Sequence, residues 1–222
     1  MRRGEHGGDW AAYQIQYHGM PLDFSANVSP MGIPAGVKRA LYQAVEEVNR
    51  YPDPLCRQLR ACLGRHHDVS SAQILCGNGA SDLIDRLVLA LRPKRGMVTA
   101  PAFSEYGQAL RRVGCQVEEF PLQRAEDFRM TARILERITP ALDILFLCEP
   151  SNPAGQTTDR ALLEKILERC DACGVLLVVD ECFEEFLLDR SHSMVSNLTG
   201  HHLLILRAFT KFYGLAGVRL GY

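Results

Sequence analysis

A lysine can act as a nucleophile and condense with a carbonyl carbon, so a lysine at the end of a strand-like run among turn residues is a place to look for chemistry. Lys211 is such a residue. It lies in RAFTKFYGLAGVRLGY, residues 207 to 222, directly after the apolar run Leu203 to Leu206. Thr210 puts a hydroxyl donor beside it, and Arg219, in glycine-rich sequence, supplies a planar fork that matches a phosphate. A lone lysine in this position is usually only solvated; the three residues together read as a cofactor clamp. A second signal is GNGAS at 77 to 81. Gly77 and Gly79 let the backbone turn tightly, and a helix beginning near Ala80 and Ser81 would offer N–H groups and the positive end of its dipole to a phosphate. By itself such a turn is often just a turn. Two further residues have plain readings when taken alone: Asp180 as a helix cap or metal ligand, and Phe103 as a core aromatic.

These residues need elements that bring them together. Between residues 34 and 206 helical and strand-like segments alternate with short connections, which predicts an α/β fold with a largely parallel sheet. The expected strands are the short apolar runs Ile74 to Cys76, Met97 to Ala100, Asp143 to Cys148, Val175 to Asp180 and Leu203 to Leu206. Continuous runs of this kind fit strands covered on both faces. Helical spacing is clear in Val37, Leu41, Ala44, Val45 and Val48, expected to lay one face on a core. It recurs in Leu83, Ile84, Leu87, Val88 and Leu91, and in Leu162, Leu163, Ile166 and Leu167. Each strand is followed by polar or glycine-rich sequence: GNGAS, PAFSEY, EPSNPAG, DECF and RAFTK. Ligands of open α/β sheets sit beyond the carboxyl ends of the strands, so the chemistry is expected to converge there.

Composition narrows the partners. With a net charge of -1 and 23% charged residues in 222, no strong field favours nucleic acid or an anionic membrane, and a small molecule is the expected partner. The two arginines near the start are not followed by an apolar segment, and no run approaches the ~20 apolar residues of a membrane span, so a cytoplasmic location is expected. The eight cysteines lie mostly in apolar stretches and read as reduced and structural. One CxxC, Cys170 and Cys173, has no second pair to complete a zinc site, and His66-His67 and His201-His202 lack ligands at metal spacing, so no metal is expected.

The lysine segment, VVDECF, EPSNPAG, GNGAS and PAFSEY, in this arrangement, resemble the aminotransferase-like enzymes of fold type I that use pyridoxal 5'-phosphate. The resemblance implies that Lys211 carries the cofactor as a Schiff base, that Asp180 pairs with its ring nitrogen, that Asn152 donates to its phenolic oxygen and that Phe103 stacks on its ring. Ala80, Ser81, Thr210 and Arg219 would hold the phosphate, and Tyr51 of NRYPDP would reach it from the second subunit of a homodimer. Lys211 and Asp180 are then the catalytic pair. The division implied is an N-terminal arm over residues 1–35 and a cofactor-binding large domain over 36–222 that lacks its C-terminal part.

Within that superfamily several stretches are similar to the threonine-phosphate decarboxylases of cobalamin biosynthesis: His6-Gly7-Gly8, LDFSANVSPMGIP, NRYPDP, RHH at 65 to 67, the GNG turn, and Phe183 where histidinol-phosphate aminotransferases carry a tyrosine. The resemblance places His6, Gly7 and Gly8 near the substrate phosphate. It implies decarboxylation of L-threonine O-3-phosphate to aminopropanol phosphate, with histidinol-phosphate aminotransfer as one alternative and a non-catalytic fragment that binds a phosphorylated ligand as another. Departures are Ala208, where a hydroxyl is common, and Glu149 in place of the first asparagine of NPNNPTG, from which weaker cofactor binding is expected. Relatives continue past the position of Tyr222 with another strand and the arginines that grip the substrate. The 222-residue chain is therefore expected to leave an exposed sheet edge and to bind the cofactor without turnover.

Overall fold

A computed structural model describes residues 8–222. Helices α1 (Trp10–Tyr17), α2 (Ala35–Val45) and α3 (Arg57–His67) come first, and α4 (Ala80–Leu91) leads into the sheet. The sheet strands are β1 (Arg95–Ala100), β2 (Gln116–Pro121), β3 (Ile144–Cys148), β4 (Leu176–Asp180) and β5 (Leu203–Leu206). Of the remaining helices, α5 (Ser104–Arg112) joins β1 to β2, α6 (Ile134–Arg137) precedes β3, and α7 (Arg160–Cys173) joins β3 to β4. Strand order is β2-β1-β3-β4-β5, and every neighbouring pair is parallel.

The parallel sheet follows from the apolar runs. In β3, Leu145 and Leu147 pack with Leu163, Ile166 and Leu167 of α7 on one face, while Ile144, Phe146 and Cys148 pack with α4 and α5 on the other. Both faces of the strand are buried, so it reads as an unbroken hydrophobic stretch. Cys170 of the CxxC packs in the first of these clusters as an apolar side chain. The chain runs outward from β1 to β2 and returns to lay β3 on the other side of β1. That reversal opens a crevice at the carboxyl ends of β1 and β3.

Three elements depart from the sequence expectation. Ile74 to Cys76 is not a strand. Its residues Ile74 and Leu75 instead line, with Leu203 to Leu206 of β5, an apolar cavity of about 470 Å³, and it joins no ladder. Only Gly77 pairs, in an antiparallel bridge with Gly221, which also bridges Ala208. Conversely, β2 was not among the expected runs, because Glu118 and Glu119 interrupt its apolar character. It is an edge strand, and those glutamates pair with Arg95, Arg137 and Arg111 along the edge. Finally, α2 forms but buries no residue, and Tyr42 and Val45 are exposed. Its apolar face has no cover among the described residues, of which none before Leu63 is buried.

Candidate active site

A cavity of about 600 Å³ opens at the carboxyl edge of the sheet, and Ala80, Ser81, Phe103, Asn152, Asp180, Thr210, Lys211 and Arg219 all line it. Topology explains the convergence. Phe103 follows β1 and stands at the start of α5, Asn152 follows β3, Asp180 is the last residue of β4, and Thr210 and Lys211 follow β5. The ladder pairs Cys148 with Asp180 and Asp180 with Leu206, which sets the loops after three adjacent strands at one level.

The phosphate-type corner is built by α4. Its N-cap is Gly79, with φ 87° and ψ 167° and no side-chain cap, so the first turn of N–H groups has no capping side chain from its own chain. Only glycine adopts this backbone conformation readily. The Arg219 guanidinium lies directly against Gly79: a Cβ there would stand 2.8 Å from Arg219 Nη2. Arg219 is itself held with φ 59°, and its Nη1 donates to the Ala216 carbonyl at 3.2 Å.

Asp180 sits at the floor, 4% exposed. Its Oδ2 accepts from the Tyr106 hydroxyl at 2.6 Å and its Oδ1 from the Cys182 backbone N–H at 3.0 Å. Two hydrogen bonds from different elements fix the carboxylate in place. Tyr106 is buried, stacks on Phe146 at 5.1 Å and meets Phe103 edge-on at 5.5 Å. Burial first, and then the Asp180 charge, push the Tyr106 phenol well above its usual range, and the same causes act on the Cys182 thiol. Both groups stay neutral, so Tyr106 remains a donor and Cys182 is not a thiolate nucleophile.

Lys211 lies with its Nζ 5.7 Å from the Phe183 ring centroid. Its carbonyl accepts from the Ser29 N–H at 2.9 Å, which ties the lysine loop to the N-terminal segment. That segment also meets the site through Asn27, whose Nδ2 donates to Asn152 Oδ1 at 3.1 Å. With the Asn152 oxygen engaged there, its amide N–H groups are left as the donors toward the cavity.

Other sequence candidates fall elsewhere. Tyr51 is fully exposed and does not line the cavity of its own chain. Gly8 donates its N–H to Ser25 Oγ at 2.9 Å, and Ser25 lines the cavity, so Gly8 stands one contact away from it. His6 and Gly7 lie outside the described residues. Glu149 does not line the cavity: it is buried against Thr158, taking the Thr158 N–H at 2.9 Å and the Thr158 hydroxyl. Burial pushes its carboxyl up to about 7, against the opposing effect of the Thr158 hydrogen bonds.

Sequence reasoning missed Tyr106, Asn27 and the pair Arg207 and Glu181. Tyr106 had a usable signal, since it stands three positions after Phe103 on a helix and so shares its face. Arg207 is buried among Glu181, Glu184 and Glu185, with Nη2 2.5 Å from Glu181 Oε2, and Glu181 Oε1 takes the Met194 N–H at 2.6 Å. This knot anchors the end of β5 to the loop after β4, on either side of the lysine and the aspartate.

Residues 20–222 match the family model described as aminotransferase class I and II. The chain is 42% identical over 201 residues to threonine-phosphate decarboxylase of Salmonella typhimurium, covering 90% of this chain and 55% of that protein. It is 33% identical to histidinol-phosphate aminotransferase of Bacillus subtilis, covering 90% of this chain and 56% of that one. Among solved structures, the histidinol-phosphate aminotransferase of Clostridium acetobutylicum superposes with a TM-score of 0.80 at 26% identity, over 89% of this chain and 58% of that chain. The chain thus spans about half the length of the relatives it matches. With a matching model over nearly its whole length and the parallel sheet of those folds, the chain belongs to the aminotransferase class I and II family.

Proposed function

We propose that this chain binds pyridoxal phosphate covalently through Lys211, and that the protein carrying it decarboxylates L-threonine O-3-phosphate to aminopropanol phosphate. Members of the family use pyridoxal phosphate. The observation that carries the reading is the meeting, in one cavity, of a lysine, a buried carboxylate and a helix N-terminus closed by an arginine. The residues fit the group: the Gly79 corner sets the Arg219 guanidinium against the uncapped N-terminus of α4, a set of donors suited to an anion.

Bound there, the cofactor supplies an electron sink for the pair of electrons left at the substrate Cα when a substituent departs. The chain's own residues do the rest. Ala80, Ser81, Thr210 and Arg219 hold the phosphate. Asp180, at the floor of the cavity, would pair with the ring nitrogen and hold a proton there. Asn152 would donate its amide to the phenolic oxygen, and Phe103 would stack on the ring and exclude water. Lys211 would hold the cofactor through its Nζ, and the same amine would be the group placed to move a proton at the substrate carbon. Gly8, together with His6 and Gly7, belongs at the substrate phosphate.

The partner is a second copy of the chain. Supporting this are the fully exposed Tyr51 and the unburied helices α1 and α2 with exposed Trp10, Tyr42 and Val45. Tyr51 would then reach the neighbouring site, with residues 1–35 acting as the arm of a body formed by 36–222. Among the described residues no helix is long and apolar enough to cross a membrane.

Borohydride reduction with pyridoxal phosphate, followed by peptide mapping, tests the assignment. The phosphopyridoxyl group is expected on Lys211, and a label elsewhere, or none with cofactor in excess, overturns it. Threonine phosphate is expected to release carbon dioxide without a keto-acid acceptor. The similarity to histidinol-phosphate aminotransferases favours a second reading. Conversion of bound cofactor to its amine form by histidinol phosphate, with no carbon dioxide from threonine phosphate, would establish it instead.

A further inference from the structure

We infer that Tyr106 is a positioning residue for the electron sink: its hydroxyl, donating to Asp180 Oδ2 at 2.6 Å, aims the carboxylate and occupies one of its lone pairs. This rests on the cofactor assignment proposed above and names a residue with no role in it. The geometry carries the inference. Asp180 is 4% exposed and Tyr106 1% exposed, so water does not compete for their bond. Tyr106 is locked in turn by stacking on Phe146 and by its place on α5, which begins at the end of the β1 loop. The bond therefore spans from one wall of the crevice to the strand end on the other.

The groups packed around Asp180 leave its carboxylate supported chiefly by such donors. Cys148 and Cys182 are buried beside it, and burial raises both thiols, so neither adds a second negative charge next to the carboxylate. Lys211 is the cation near this floor, and in the loaded state its nitrogen is committed to the cofactor. The phenol donates to the carboxylate from α5, and Cys182 from the loop after β4, through its backbone N–H and its thiol. Without the phenol, the carboxylate competes better for the proton it shares with the ring nitrogen, and the ring loses positive charge. The effect points the same way as loss of Asp180 itself.

The test is Tyr106→Phe, which removes one oxygen and keeps the stacking ring. The readout is the pH midpoint at which the absorption band of the bound cofactor changes. A midpoint moved by about one pH unit is expected, matching loss of a hydrogen bond to a charged group, in the direction produced by Asp180→Asn. Because Tyr106 acts through Asp180, the double variant should sit where Asp180→Asn alone sits. A purely structural role would give an additive shift or none. An unchanged midpoint, or additivity, overturns the inference. Should Tyr106→Phe not fold, a fluorinated tyrosine placed at position 106, a stronger donor, must move the midpoint the opposite way, and no movement overturns it as well. Absence of any cofactor band in the unaltered chain sinks the proposed function and this role with it. A normal band with an unmoved variant sinks this inference alone.

Discussion

Replacing Glu149 with glutamine should remove most of a pH-dependent loss of stability. Glu149 is 7% exposed and accepts two hydrogen bonds from Thr158, yet its carboxyl is pushed up from 4.5 to about 7, with burial the largest cause and the Glu181 charge adding to it. The sign follows from proton counting. Between those two values the folded chain holds a proton that the unfolded chain has released, so stability falls as pH rises through this window. At about 1.36 kcal/mol per pH unit, the full loss above pH 7 is about 3 kcal/mol. Glutamine is neutral throughout and can still accept from the Thr158 N–H, while the Thr158 hydroxyl turns to accept from its amide. Urea unfolding of both proteins at pH 5, 6, 7 and 8 measures the difference. The variant should be close to the parent at pH 5 and more stable by about 3 kcal/mol at pH 8, with similar m-values. A stability difference that does not change across these pH values refutes the reasoning.

Gly79→Ala should lose about 1–3 kcal/mol to backbone strain and push the Arg219 guanidinium from its seat, so the cofactor should bind more weakly at an intact Lys211. Equilibrium titration with pyridoxal phosphate reads this. Arg207→Met leaves Glu181, Glu184 and Glu185 buried without their cation and should destabilise the chain by about 3–5 kcal/mol, measured by urea unfolding. Asn27→Ala frees the Asn152 amide to turn over. Cofactor affinity should fall by up to about tenfold, the value of one neutral hydrogen bond, with little change in melting temperature because Asn27 is exposed.

What the sequence made legible depended on how local the cause was. β3 and β4 could be read because burial on both faces leaves an apolar run that needs no partner to be seen. The same signal misled at Ile74 to Cys76, where the apolar run lines a cavity instead of joining a ladder. β2 was hidden for the opposite reason: an edge strand satisfies its outward positions with charge, and Glu118 and Glu119 read as loop. In the site, Lys211, Asp180, Asn152 and Phe103 were legible because each ends a strand or follows one. The contacts that tune them were not, because Tyr106 and Asp180 are 74 positions apart and Asn27 and Asn152 are 125 apart. No periodicity encodes such a pairing.

The N-terminal segment illustrates how local signals and tertiary support can part. Its helices have cap and spacing, as at α1, where Asp9 accepts from the Ala12 N–H, yet no residue of α1 or α2 is buried. Helices of 8 and 11 residues are too short to hold themselves in water. What fastens the segment within this chain is concentrated at the cavity: the Ser29 N–H on the Lys211 carbonyl, Asn27 on Asn152, and Gly214, where a Cβ would stand 3.1 Å from the Gly32 backbone. The loop that carries the lysine is therefore also the anchor of the segment that rims the site. By linkage, any ligand that orders the Lys211 loop and Asn152 stabilises the placement of residues 25–33, and any contact that fixes those residues strengthens binding at the site by the same factor.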